Sequence, residues 1–107
     1  MHISDLQIQA YEIAAAHGWR ARARSVGEAI ALMHSELSEA LEEWRDGKMQ
    51  VSQDATGKPE GFPVELADCI IRICDTAEEL GIDLEKAISM KMEYNKTRPW
   101  RHGGKLA

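Results

Sequence analysis

Apolar residues in this chain return every three or four positions and almost never every second one. No other feature of the sequence constrains the fold as strongly. The spacing puts apolar side chains on one stripe of an α-helix and does not suit a half-buried strand, whose period is two. Beta-branched alternation persists nowhere and no hairpin turn stands out, so an all-α chain is expected.

Four helices follow from the stripes and the punctuation between them. The first opens at a capping box, Ser4 with Gln7, carries Leu6, Ala10, Ile13 and Ala14 on one face, and stops near Gly18. The second opens at Ser25 with Glu28, and its stripe is Ile30, Met33, Leu37, Ala40, Leu41 and Trp44, with Gly47 as the stop. Lys48 to Phe62 reads as a loop, rich in Gly, Pro and polar residues. The third helix follows Pro63 and runs to Gly81, with Leu66, Cys69, Ile70, Ile73, Ala77 and Leu80 inward and Ile71 and Cys74 widening the stripe. Asp83 caps a fourth helix beginning at Leu84, and the residue before Pro99 is its limit. The basic tail, 98–107, is expected to be irregular.

Helices with one apolar stripe each must bury those stripes together, so a small four-helix bundle is the expected architecture. At 107 residues the chain makes one domain, whose small core would gain from a partner subunit. The net charge of -5 argues against nucleic-acid binding and against an anionic membrane surface. No apolar run is long enough to span a bilayer, and the N-terminus lacks the basic start and apolar run of a signal peptide. Cys69 and Cys74 lie about 140° apart around one helix, too far round to pair with each other, and read as reduced core cysteines of a cytoplasmic protein.

Chemistry is concentrated in the carboxylates. The stretch "HSELSEALEEW" places four glutamates in eleven positions. Glu36 and Glu39, three apart, sit about 60° from each other around the axis, with Glu43 beside them. This acidic edge borders the apolar stripe. The third helix repeats the arrangement in "VELADCIIR", where Glu65 and Asp68 are three apart. If the two helices pack antiparallel, four carboxylates converge. They cannot all stay ionised without compensation, because like charges raise one another's pKa. A hard divalent cation resolves this, and Mg²⁺ suits a half-open oxygen site that also binds phosphates. Either pair alone is equally readable as a solvated helix edge.

On the fourth helix Leu84, Ala87 and Ile88 define the inward stripe, and helical spacing continues it through Lys91, Asn95 and Arg98. Polar residues thus stand where core residues belong. They either snorkel from a helix end or face the carboxylates, where cations would bind phosphate oxygens.

These segments in order, "ELSE", "ELAD" and "GIDLEKAISMKMEYNKTRPWRHGGK", resemble the MazG-like, all-α nucleoside triphosphate pyrophosphohydrolases over roughly residues 25 to 105. The resemblance implies a four-helix fold, dependence on Mg²⁺ with Mn²⁺ as a substitute, and homodimers or homotetramers. It implies cleavage of nucleoside triphosphates to the monophosphate and pyrophosphate. Carried over, Glu36, Glu39, Glu65 and Asp68 are metal ligands, and Lys91, Asn95 and Arg98 contact phosphates or the ligand shell. Glu39 is the candidate base for the attacking water. Two departures stand out. Ser35 occupies a position that is often acidic in the family, and Glu39 with Glu42 fits the first motif one turn later.

Trp19 follows Gly18 in the first inter-helix segment and could stack on a base, with Arg20, Arg22 or Arg24 reaching a triphosphate. Alternatively it covers a bundle end. Trp100 is a base platform or a subunit contact. A rival reading is a non-catalytic helical interaction module; within the enzymes, a phosphoribosyl-ATP pyrophosphohydrolase or a dUTPase-like relative.

Overall fold

A computed structural model describes residues 1–99. Four helices carry most of them: α1 (Ile3–Ala16), α2 (Val26–Arg45), α3 (Phe62–Glu79) and α4 (Leu84–Lys96), with two short strands between α2 and α3. The all-α expectation therefore holds apart from those strands. None of the described helices is long and apolar enough to cross a membrane.

The helix starts follow local chemistry at two of three expected caps. Ser25 Oγ accepts from the Glu28 amide at 3.0 Å, and Asp83 Oδ1 accepts from the Lys86 amide at 3.0 Å. The expected capping box at Ser4 and Gln7 does not form. His2 takes the N-cap position of α1 without a side-chain bond. Gln7 is buried instead, donating to the Ile82 carbonyl at 2.8 Å and accepting from the Leu84 amide at 3.2 Å. Those backbone groups belong to the α3–α4 turn, where an unpaired buried amide costs more than a missing cap gains.

α3 is the central helix, with α1 packed on one side and α2 on another; α4 touches chiefly α1 and buries none of its residues. The core is built from small residues: Ala10, Ala14, Ala29, Ala40, Cys69, Cys74 and Ala77. Both cysteines are free and buried.

The helix stripes are not all buried, which corrects the simple bundle expectation. On α2 the residues turned to α3 include Ala29, Glu36 and Ala40, whereas Ile30, Leu37, Leu41 and Trp44 are exposed. The acidic edge is the seam, and the apolar stripe lies beside it, open. A helix can offer only one face to one neighbour, and among the described residues α2 packs chiefly against α3.

Lys48 to Phe62, expected as a loop, closes into a small hairpin. β1 (Ser52–Gln53) and β2 (Pro59–Glu60) pair antiparallel, Ser52 with Glu60 and Gln53 with Pro59. Asp54 organises the turn: its Oδ1 accepts from the Thr56 amide (2.8 Å), the Thr56 hydroxyl (2.6 Å) and the Lys58 amide (3.1 Å). These bonds, led by that from the hydroxyl, hold its carboxyl below the usual range. At the base Phe62 donates its amide to the Lys48 carbonyl at 2.9 Å. Gly61, at φ 115°, passes so close to the Gln50 carbonyl oxygen that a Cβ has no room.

Candidate functional site

Helical spacing does on α2 and α3 what the sequence requires for convergence. Glu36 and Glu43 project into the seam from one side, Glu65 and Asp68 from the other. Glu36, Glu65 and Asp68 each bring a carboxylate oxygen within 4.8 Å of the others. Glu39 is exposed at the rim of the same cavity as Glu65. Glu42, the alternative motif residue, is turned away and pairs with Arg45 at 3.3 Å.

The acids line a cavity of about 350 Å³ together with Lys48, Lys58, Pro59 and Glu60 from the hairpin. The hairpin therefore supplies two lysines to an otherwise acidic rim. One further cation, half-buried, meets the acids: Arg72 donates Nε to Glu36 Oε1 at 2.7 Å.

Crowding shows in the proton affinities. Burial, then Glu39, then the charges of Asp68 and Glu36 push the Glu65 carboxyl up to about 7. Burial and the charge of Glu36 raise Asp68, partly opposed by Arg72. Glu43 Oε2 and Glu65 Oε2 are buried with no hydrogen-bond partner. Buried acceptors without donors are uncommon and mark a place where a ligand or ion would be welcome.

The remaining candidates lie elsewhere. Lys91 and Asn95 are exposed on α4, and neither they nor Arg98 lines the acidic cavity. Lys91 Nζ lies 5.1 Å from the centre of the Tyr94 ring and the Arg98 guanidinium 5.8 Å from it. Convergence with the carboxylates inside one chain is thus not observed, because α4 packs on α1 rather than across α2 and α3.

Trp19 stands at the edge of a second cavity, about 400 Å³, walled by Leu6, Ala10, Ile13 and Ile71 with Arg72 between the two cavities. The arginines following Trp19 do not reach the acids. Arg20 and Arg24 both pair with Asp75, which is only 1% exposed, and Arg22 pairs with Glu28 at 3.4 Å. A carboxylate buried that deeply requires cationic partners. Trp100 and the tail from it onward lie outside the described residues; Arg98 and Pro99 are non-helical.

Four contributors escaped the sequence reading: Lys48, Lys58, Glu60 and Arg72. Arg72 follows Asp68 by four residues, the same-face interval, and that signal was available. The lysines reach the rim only because the hairpin folds back, and its one local sign was Asp54 three residues before Gly57. The chain matches no family profile, no curated protein and no solved structure.

Proposed function

We propose that this chain is a divalent-cation-dependent pyrophosphohydrolase of nucleoside triphosphates, working in the cytoplasm as a homodimer or homotetramer. The observation that carries the proposal is the convergence of Glu36, Glu65 and Asp68 within 4.8 Å beside Glu39, in a cavity rimmed by Lys48 and Lys58. Its order along the sequence is that of the MazG-like resemblance.

The donor set fits the ion that the resemblance implies. All donors are carboxylate oxygens, which favour Mg²⁺ or Mn²⁺ over softer metals. The unpartnered Oε2 atoms of Glu43 and Glu65 are acceptors awaiting a positive partner. Glu36, Glu65 and Asp68 would hold the ion, with Glu39 at its edge. When bound, such an ion acidifies water and offsets triphosphate charge.

The protein's own groups account for the rest. Glu39, at the rim, takes the proton of a water whose oxygen bonds to the α-phosphorus. The α–β phosphoanhydride bond breaks and pyrophosphate leaves. Lys48 and Lys58 neutralise the leaving group. Trp19 offers a flat ring for the base beside an apolar cavity. Lys91, Asn95 and Arg98 reach the phosphates from a second copy. That role is supported by an α4 that buries nothing within its own chain and by the open apolar stripe of α2.

The test is a panel of ribo- and deoxynucleoside triphosphates, with and without Mg²⁺, read by product. Monophosphate plus pyrophosphate is expected. Diphosphate plus phosphate, or turnover indifferent to Mg²⁺, would sink the proposal.

A further inference from the structure

Arg72 joins two parts of the molecule that are otherwise separate. Its Nε donates to Glu36 Oε1 at 2.7 Å, and Glu36 lines the acidic cavity. The carbon of the same guanidinium lies 4.8 Å from the centre of the Trp19 ring, and Arg72 and Trp19 both line the apolar cavity. The side chain is 22% exposed, and a guanidinium keeps its charge at any working pH. It can exchange partners but cannot discharge.

Glu36 is therefore contested. A cation gathered by Glu36, Glu65 and Asp68 draws on the carboxylate that now holds Arg72. Neither α3 carboxylate within one turn of Arg72 is free to receive the displaced group. Asp68, four residues before, belongs to the same cluster, and Asp75, three residues after, already holds Arg20 and Arg24.

We propose that Arg72 is a positioning residue that couples cation occupancy of the carboxylates to the Trp19 cavity. With the carboxylates empty, the guanidinium is shared between Glu36 and the Trp19 face. With a cation on Glu36, it is released, the Trp19 face opens to the cavity, and the guanidinium is left to meet an anionic oxygen of the substrate. Cation binding then precedes stacking of the substrate's ring. This inference rests on the cation reading of the carboxylates.

The test uses the full chain carrying Trp44→Phe and Trp100→Phe, so that Trp19 alone reports. Mg²⁺ is titrated without nucleotide and followed by tryptophan emission and, in parallel, by calorimetry. The expected result is an emission change saturating at the calorimetric Kd. In Arg72→Gln the emission change is expected to vanish while Mg²⁺ binds roughly tenfold tighter, a competing positive charge having been removed. Arg72→Lys, which keeps the charge, is expected to retain wild-type Mg²⁺ affinity. Calorimetric binding without an emission change overturns the coupling and leaves the cation reading standing. Unchanged or weaker Mg²⁺ affinity in Arg72→Gln also overturns it, since Arg72 would then merely brace Glu36. No Mg²⁺ binding at all overturns the cation reading and this inference together. The emission titration on the parent chain decides the matter even if a variant at Arg72 does not fold.

Discussion

Glu65 on α3 and Glu39 on α2 line the same acidic cavity, and Glu39 is one of the neighbours that raise the proton affinity of Glu65. Burial first, then the neighbouring carboxylates of Glu39, Asp68 and Glu36, push the Glu65 carboxyl up to about 7, so it keeps its proton well above the ordinary glutamate range.

The first prediction follows from that proton. A carboxyl raised above its ordinary value binds its proton more tightly in the folded chain than in the unfolded one. Its stabilisation is complete below the ordinary glutamate range and is lost as pH rises through about 7. Asp68, raised in the same direction, adds to the trend. The Tm of metal-free protein is expected to fall as pH is raised from about 5 to about 8, the window these shifts define. Saturating Mg²⁺ favours the ionised carboxylates, so it should flatten the slope and release protons on binding. Thermal melts across pH, with and without Mg²⁺, check both. A Tm that climbs through this window would contradict the arrangement.

The glutamates of α2 are not equivalent, and charge-neutral substitutions separate them. Glu36→Gln, Glu65→Gln and Asp68→Asn each remove a converging oxygen charge and are expected to weaken Mg²⁺ binding and lower kcat/KM by about 100-fold or more. Glu39→Gln should spare Mg²⁺ affinity more than kcat, with kcat falling by about 100-fold as for loss of a general base. Glu42→Gln, which loses only an exposed partnership with Arg45, is expected to be silent. Calorimetry and steady-state kinetics on the set distinguish these outcomes. Equal tolerance at Glu36, Glu39 and Glu42 would return the stretch to an ordinary helix face.

Asp75 carries stability rather than chemistry. It is among the most deeply buried side chains, and it anchors Arg20 and Arg24, which lead from Trp19 into α2. Asp75→Ala leaves two partly buried guanidiniums without a counter-charge. The expected cost is about 3 kcal/mol, as for breaking one side of a buried ion pair. Urea denaturation should show the midpoint shifted with little change in slope. Arg22→Ala, which removes an exposed pair with Glu28, should shift it by no more than about 0.5 kcal/mol.

Much of this was legible from periodicity and much was not, and the division has physical causes. Ser25 and Asp83 were readable because a cap is a local bond within one turn. Glu36, Glu65 and Asp68 were readable because an interval of three keeps residues on one helix face whatever the tertiary packing. Gln7 was misread for the converse reason. Its partners, Ile82 and Leu84, are distant in sequence, and only the packing of α1 on α3 brings them near. The side of α2 that is buried could not be read from its stripe either. Leu37 and Leu41 mark an apolar face, but whether that face meets α3 or another chain depends on contacts the sequence does not encode locally.

The open face of α2 leads to the last prediction. Ile30, Leu37, Leu41 and Trp44 recur at intervals of seven, four and three along one side and stay exposed. Covering a side chain of this size is worth about 1.5–3 kcal/mol, so a second copy of the same stripe would gain substantially by meeting it. Leu37→Asp with Leu41→Asp is expected to yield monomers in sedimentation while helix content is kept. The same assembly would decide how Lys91 serves the carboxylates, because α4 does not bring it there within one chain. Glu65→Gln and Lys91→Ala proteins should each be inactive alone. Unfolded together and refolded, random pairing makes half the dimers mixed, and each mixed dimer has one intact composite site. Activity should then return to about a quarter of wild type, the value fixed by twofold symmetry. If each site used the Lys91 of its own chain, mixing would restore nothing, and α4 would have to move across its own α2 and α3 instead.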